Sequence, residues 1–202
     1  MDYFHYGKKE TDYLRRQDPA LGEAIDRIGQ LRNPVVPDLF SGLVNHIISQ
    51  QISYKAAETV WRRFQDNFLP IDPAIIAAES PEKIQAVGMS LRKANYIRAI
   101  AQQIVSGELR IDELSARSDI EVRQQLMKLP GIGSWTVDML MIFSLQRPDV
   151  MSWHDLAIRR GLIRLHQLVQ LDKKSFNDFQ QLYSPFGTIA SFYLWEIAHE
   201  DI

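Results

Sequence analysis

The stretch 129–135, Leu-Pro-Gly-Ile-Gly-Ser-Trp, decides the fold, because it sets a proline and two glycines between two segments of helical periodicity. Pro130 disfavours helical dihedral angles at Leu129, so the first helix is expected to end there. Gly131 and Gly133 permit positive φ angles and the close approach of another backbone. The pattern therefore predicts a short hairpin that joins two helices.

The second helix of this hairpin is predicted to begin at Ser134, and its first turn leaves backbone N–H groups without partners inside the helix. These groups and the positive end of the helix dipole favour a bound phosphate. The layout is that of a helix–hairpin–helix element, which binds a DNA backbone without reading its sequence. The candidate backbone contacts are Gly131, Ile132, Gly133 and Ser134. The alternative is a tight interhelical turn in which Ile132 only fills the gap between the helices.

Helical periodicity continues on both sides of the hairpin, whereas strand-like alternation is weak throughout the chain. We therefore predict an all-α fold of about ten short helices. Ser53 and Ser80 are the expected N-caps of two of them. The spacing predicts helices over 14–28, 39–52, 54–68, 90–105, 119–129, 134–145, 155–168, 176–183 and 186–198, with shorter ones that begin at Pro73 and Pro81.

A length of 202 residues is enough for one domain, or for two small lobes that share a core. We expect one lobe to be formed mainly by residues 35–120. The N-terminal segment and residues 121–202 are expected to form the other. A cleft between two lobes is a usual place for a ligand, so we expect the functional site there.

Composition excludes several classes of protein. The chain has no cysteine, which removes disulfides, a thiol nucleophile, thiolate zinc sites and cysteine-ligated iron–sulfur clusters. The N-terminus lacks the apolar segment of a leader, and the apolar stretches are too short to cross a bilayer. We expect a cytoplasmic monomer that does not associate with membranes. The formal net charge of −2 does not exclude DNA, because it says nothing about where the charges lie.

Asp155 is the candidate catalytic carboxylate, and it directly precedes a predicted helix. An aspartate at that place is a favoured N-cap, which is the purely structural explanation. Beside DNA, an ionised carboxylate can also stabilise positive charge that develops on a sugar. The two roles are compatible, because a helix N-terminus favours the charged carboxylate.

Three separated motifs, in the correct order, resemble one family. The hairpin 129–135 with Asp155 resembles the core of the helix–hairpin–helix (HhH-GPD) DNA glycosylases. The stretch 40–57, FSGLVNHIISQQISYKAA, resembles the SIIxQQxSxKAA helix pair of the 3-methyladenine DNA glycosylase II branch. The stretch 185–195, PFGTIASFYLW, is similar to the P-[WFY]-R-[ST]-x-A-x-x-Y-L-W segment of that branch. The resemblance covers residues 20–200 and implies a two-lobed fold, here without the N-terminal β-domain of some relatives.

The resemblance implies an enzyme of base excision repair that acts on double-stranded DNA. Its expected substrates are alkylated purines of the 3-methyladenine and 7-methylguanine type, which are flipped out of the duplex. Hydrolysis of the N-glycosidic bond then leaves an abasic site. Asp155 is implied as the residue that stabilises an oxocarbenium-like sugar and positions a water.

Aromatic side chains are the candidates for the base pocket, since a cationic alkylated base stacks well on electron-rich rings. Trp135 and Trp195 fall on family positions that border the pocket. Tyr54 is a further candidate that rests on its residue type and not on the resemblance. For each tryptophan, ordinary packing in the core is the structural alternative.

The resemblance also implies a wedge that fills the gap left by a flipped base. Gln51 falls on the wedge position, and Gln50 lies beside it. A polar wedge can hydrogen-bond the base that has lost its partner. The alternative is that both glutamines only end the preceding helix.

No cofactor is expected, and without cysteine the chain cannot carry the four-cysteine iron–sulfur cluster of some relatives. No metal site formed by side chains is expected either. Hairpins of this kind sometimes hold a monovalent cation through backbone carbonyls. The donors would then be those of Met127, Leu129 and Ile132.

Trp135 stands where strand-cutting relatives carry a lysine that forms a Schiff base with the sugar. We therefore predict a monofunctional glycosylase without lyase activity. Two alternatives stay open at this point. One is a DNA-binding module without catalysis, and the other is a glycosylase for a different damaged base.

Overall fold

The computed structural model describes residues 2–199, and these residues confirm the all-α class. They contain no β-sheet, only an isolated antiparallel bridge between Tyr3 and Pro34. None of their helices is both long and apolar enough to span a bilayer. The helices are α1 (Lys8–Gln17), α2 (Pro19–Ile28), α3 (Leu39–Ser49), α4 (Tyr54–Phe68), α5 (Pro73–Ala78), α6 (Pro81–Gln85), α7 (Leu91–Val105), α8 (Asp119–Leu126), α9 (Ser134–Phe143), α10 (Leu156–Leu165), α11 (Lys173–Tyr183) and α12 (Gly187–His199), with a 3-10 helix at Ile111–Ala116.

Side chains that precede the helices fix where several of them begin. Ser53 Oγ accepts a hydrogen bond from the Ala56 N–H at 3.3 Å. Ser80 Oγ accepts one from the Lys83 N–H at 3.2 Å. Both predicted N-caps are confirmed, and each satisfies a backbone donor that the first helical turn leaves unpaired. Pro81 occupies the first turn of α6, where its missing N–H removes no intrahelical bond.

The prediction of one helix over 14–28 is wrong, because the chain breaks at Asp18 into α1 and α2. The Asp18 carboxylate accepts hydrogen bonds from the backbone N–H groups of Ala20 and Leu21, at 3.0 and 3.2 Å. Pro19 then begins α2, a position that its fixed φ suits. The apolar spacing runs through both helices, so periodicity alone hides the break.

One compact unit comprises Val36–Leu140 and contains α3 to α8 with most of α9. Its core is built from the apolar faces of these helices. Burial of one large apolar side chain contributes roughly 1.5–3 kcal/mol, so these faces hold the unit together. The side chains in this core with little or no exposure include Phe40, Leu43, Ile47, Phe64, Ile84, Ile97 and Leu126.

The other compact unit contains the described residues 2–35 and 141–199, and therefore α1, α2 and α10 to α12. Helix α12 is buried along most of its length. Gly161 of α10 faces Leu194 of α12, and a Cβ atom at Gly161 would lie 2.9 Å from the Leu194 carbonyl carbon. Glycine at this position lets the two helix backbones pack this closely.

The boundaries of the two units differ in one place from the predicted lobes. The first lies near residue 35, as expected, but the second lies after residue 140 and not near residue 120. Residues 121–140, including the hairpin, therefore belong with α3 to α7. An ion pair between Arg123 of α8 and Asp138 of α9 links the two helices that flank the hairpin.

Candidate active site

Asp155 lies directly before α10, and the residue is only 8% exposed. Its Oδ1 atom accepts a hydrogen bond from the Ile158 N–H at 3.0 Å, so the carboxylate is the N-cap of the helix. The same Oδ1 accepts a second bond from the indole Nε1–H of Trp195 at 3.1 Å. Donors on two different helices therefore fix the orientation of the carboxylate. The N-cap role of Asp155 is therefore established.

Trp195 is half-buried on α12, and its own orientation is fixed by aromatic neighbours. Its ring stacks on Phe143 with the centroids 5.7 Å apart and the planes 14° from parallel. Phe192 lies on the same helix with its centroid at 5.9 Å. The structure thus places this predicted pocket residue in direct contact with the predicted catalytic carboxylate. Stacking on Phe143 preserves the direction of the N–H that reaches Asp155.

The hairpin at 129–135 forms as predicted, between the end of α8 and the start of α9. Gly131 has a φ of +77°, and a Cβ atom there would overlap the Tyr96 ring. Ile132 is buried, and its N–H donates to the Leu129 carbonyl at 3.2 Å. Gly133 does not use positive φ, and a Cβ there would meet nothing within 4 Å. Only the first of the two glycines is therefore required by the backbone conformation.

The chain turns sharply after α3, at residues 50–52, which we call the glutamine turn. Gln50 Nε2 donates a hydrogen bond to the Gly131 carbonyl at 2.8 Å and so ties the turn to the hairpin. Gln51 is exposed and has a φ of +57°, a backbone conformation that residues other than glycine rarely adopt. Of the two glutamines predicted as the wedge, Gln50 is engaged inside the protein, whereas Gln51 points its side chain to solvent.

A cavity of about 440 Å³ brings several predicted site residues together. Trp135 lies on its wall and is 40% exposed, so this tryptophan is not packed in the core. The hairpin glycines and both glutamines share the same cavity. Its lining consists of His46, Ser49, Gln50, Gln51, Gly131, Gly133, Trp135 and Thr136.

Tyr54 is not brought to this cavity. Tyr54 begins α4, the residue is 86% exposed, and it borders a separate depression with Asn45 and Ile52. Ser134 begins α9 as predicted, next to Trp135. The assignment of Tyr54 to a base pocket stays a prediction that rests on its residue type alone.

His46 is a residue of the cavity that sequence reasoning missed. Its ring meets the Trp135 ring edge to face, with centroids 6.2 Å apart and planes at 90°. Burial lowers the pKa of His46 to about 4, so the imidazole is neutral at physiological pH. A lone histidine on an apolar helix carries no sequence signal for this position, because the contact depends on the distant hairpin.

The metal prediction concerned backbone carbonyls and stays a prediction. The carbonyls of Met127, Leu129 and Ile132 fall at the end of α8 and in the hairpin, and that of Leu129 already accepts the Ile132 N–H. Within residues 2–199 no cluster of three or more His, Asp or Glu side chains could hold a metal ion.

Comparison with known proteins shows the family to which the chain belongs. Residues 44–185 match the HhH-GPD superfamily of base excision DNA repair proteins. DNA-3-methyladenine glycosylase 1 of Schizosaccharomyces pombe is 36% identical over 162 residues, which are 78% of this chain and 71% of that protein. This chain belongs to the HhH-GPD superfamily of base excision DNA repair proteins. It spans 60 to 71% of the length of three curated relatives that it matches.

Two solved structures are similar over nearly the whole chain. The crystal structure of a DNA-3-methyladenine glycosidase from Bacillus halodurans superposes with a TM-score of 0.85 at 33% identity, covering 98% of this chain and 93% of that one. The 3-methyladenine DNA glycosylase of S. pombe, in complex with abasic DNA, gives a TM-score of 0.82 at 31% identity, covering 94% and 96%. The fold predicted from the three motifs is therefore confirmed.

Proposed function

We propose that this chain is a base-excision-repair DNA glycosylase that releases alkylated purines from duplex DNA. The substrates are of the 3-methyladenine and 7-methylguanine type, and the product is an abasic site. The observation that carries the proposal is the Asp155 carboxylate, which is buried and oriented by the Ile158 N–H and the Trp195 indole within a chain of this superfamily.

The hairpin supports binding to the DNA backbone. The first turn of α9 offers backbone N–H groups and the positive end of the helix dipole to a phosphate. The Gly131 conformation and its contact with Tyr96 hold that helix start in place. Such contacts grip DNA of any sequence, which suits an enzyme that must search for damage.

The chemistry required of Asp155 is electrostatic. When the N-glycosidic bond breaks, its electron pair leaves with the base and positive charge develops on the sugar. A fixed carboxylate stabilises that charge, and a water then adds to the sugar carbon and loses a proton. A cationic alkylated purine departs as a neutral base, so little acid catalysis is needed. Hydrolysis of this kind uses no redox or group-transfer cofactor, and we propose that none is needed.

The side chain at the hairpin supports a monofunctional reaction. Trp135 borders the cavity where strand-cutting relatives would present an amine, and an indole cannot form a Schiff base. The abasic strand should therefore stay intact until another enzyme or alkali cleaves it. We also propose that the protein acts as a monomer, since one chain supplies both the hairpin and the carboxylate. We further propose that it acts in the cytoplasm, without membrane contact.

A base-release screen over a panel of modified duplexes tests the proposal. The panel holds 3-methyladenine, 7-methylguanine, uracil and an oxidised purine, and free bases and strand breaks are measured separately. We expect release of the alkylated purines and no strand cleavage before alkali treatment. Binding to an abasic-site analogue without release of any base would favour a non-catalytic module, and release of uracil or the oxidised purine alone would assign a different substrate.

A further inference from the structure

Lys93, on α7, reaches across to the end of α3. Its Nζ donates hydrogen bonds to the Ile48 carbonyl at 2.8 Å and to the Gln50 carbonyl at 2.6 Å. Carbonyls at a helix C-terminus have no partners inside the helix, and a cation there is favoured by the dipole. Burial lowers the pKa of Lys93 below its usual value. The partly desolvated ammonium therefore holds the start of the glutamine turn.

Gln50 extends this connection to the hairpin. Its backbone carbonyl is held by Lys93, while its side-chain amide holds the Gly131 carbonyl at 2.8 Å. Helix α7 meets the hairpin a second time, because Tyr96 packs against Gly131. One face of α7 thus fixes the glutamine turn and the hairpin together.

Gln51 follows directly and has an unfavourable backbone conformation, with a φ of +57°. Such a conformation is strained and persists only where the surroundings impose it. The bonds from Lys93 and to Gly131 constrain the preceding residue, Gln50, whose N–H also donates to the Ile47 carbonyl at 3.4 Å. Without them, the turn would relax to other conformations, and Gln51 would have to be ordered again on the DNA.

We propose that Lys93 is a positioning residue that holds the glutamine turn against the hairpin so that Gln51 is presented to the base stack. The inference rests on the proposed function and on the predicted wedge role of Gln51, because it assigns Lys93 to the step in which the damaged base leaves the duplex. Lys93 touches neither the base nor the reacting sugar in this role. It acts by making the backbone-binding hairpin and the inserting residue one rigid element, so that binding of a phosphate and insertion of Gln51 occur together.

Two duplexes separate this role from a merely structural one. In the first, 7-methylguanine is paired with cytosine, and in the second it lies opposite an abasic-site analogue, so that no base pair opposes flipping. Single-turnover release is compared for the wild type, Lys93→Met and Lys93→Arg. Lys173→Met is the matched control, since it removes the same charge from an exposed position at the start of α11.

We expect Lys93→Met to lose about tenfold or more on the paired lesion and about threefold or less on the unpaired one. Lys93→Arg should recover most of the loss, because a guanidinium can donate to the same carbonyls. Lys173→Met should match the wild type on both duplexes. Equal losses on the two duplexes, or no loss on either, would overturn the inference.

A second measurement does not depend on turnover. The experiment uses an Asp155→Asn background and places 2-aminopurine beside the paired lesion. The fluorescence of 2-aminopurine rises when the base stack opens. We expect Lys93→Met to slow this rise, and an unchanged rise would contradict the role.

If Lys93→Met does not fold, as judged by circular dichroism, Gln50→Leu breaks only the link to Gly131 and should show the same selective loss. An inactive wild type overturns the proposed function itself, whereas an active wild type with equal losses overturns only the role of Lys93.

Discussion

The indole Nε1–H of Trp195 donates a hydrogen bond to Oδ1 of Asp155, across 3.1 Å and between two different helices. Asp155 lies at the start of α10, and Trp195 lies near the end of α12. Gly161 allows the backbones of these two helices to pack closely. The orientation of the carboxylate therefore depends on helix packing and on the stack of Trp195 with Phe143, in addition to the local N-cap.

Replacing Trp195 with phenylalanine should slow base release without weakening DNA binding. The new ring can still stack on Phe143, but it loses the N–H that orients Asp155. We expect the single-turnover rate to fall by about tenfold, since a hydrogen bond to a charged group is worth roughly 1.5–3 kcal/mol. Trp61→Phe is the control, because Trp61 also stacks on a phenylalanine, Phe64 of its own helix α4. An unchanged rate in Trp195→Phe would show that the indole N–H does not assist Asp155.

Alanine substitutions at two glycines with almost the same φ angle should lower the free energy of unfolding by different amounts. Gly131 has a φ of +77° and Gly107 a φ of +78°, but only at Gly131 would a Cβ overlap another side chain, that of Tyr96. Gly107→Ala should lower the free energy of unfolding by about 1–2 kcal/mol, the cost of the left-handed conformation. Gly131→Ala should lower it by about 2–4 kcal/mol, because overpacking adds to that cost.

Urea unfolding of both variants measures this difference. Gly133→Ala completes the set, since that glycine has neither positive φ nor a close neighbour, and its change should stay within about 1 kcal/mol. Equal losses for Gly107→Ala and Gly131→Ala would mean that Tyr96 does not constrain the hairpin.

Because His46 is neutral in the folded protein, we expect the protein to lose stability in mild acid. Burial lowers its pKa from 6.5 to about 4, so the folded protein binds this proton less readily than the unfolded chain. Stability from this group is complete above pH 6.5 and is lost as the pH falls from there towards 4. The free energy of unfolding falls by at most about 3 kcal/mol. Because the ring is not fully removed from solvent, we expect the actual loss to be smaller.

The measurement is the urea midpoint of the wild type and of His46→Phe at about pH 7 and about pH 5. Phenylalanine preserves a ring against Trp135 but cannot take up a proton. The variant should therefore lose less stability than the wild type between the two pH values. His5→Gln, at an exposed position, serves as the control and should behave like the wild type. The same acid loss in His46→Phe would remove His46 as its source.

Local signals in the sequence predicted much of the helical fold. Ser53 and Ser80 are N-caps as expected, because capping depends on a few neighbouring residues. The missed break at Asp18 has a local signal too, since an aspartate followed by Pro19 is a typical helix start. Continuous apolar spacing across that point favoured a single helix. The points at which helices begin and break therefore depend on a few neighbouring residues.

The site was less predictable, because its contacts join distant segments. The resemblance supplied Asp155, but nothing near it in sequence indicates the bond from Trp195. Likewise, no pattern around Lys93 indicates that it holds the carbonyls of Ile48 and Gln50. Such long-range polar contacts follow from how the helices pack, which a single sequence does not specify. The placement of the unit boundary after residue 140 has the same origin.

The most direct test of the central claim compares base release by Asp155→Asn with release by Asp172→Asn. Both aspartates are helix N-caps, and Asp172 Oδ1 accepts from the Ser175 N–H at 2.7 Å on an exposed surface. Asparagine preserves the cap in each case. We predict that Asp155→Asn loses about a hundredfold or more in single-turnover release while still binding an abasic-site duplex, and that Asp172→Asn matches the wild type. Full activity in Asp155→Asn would contradict the account.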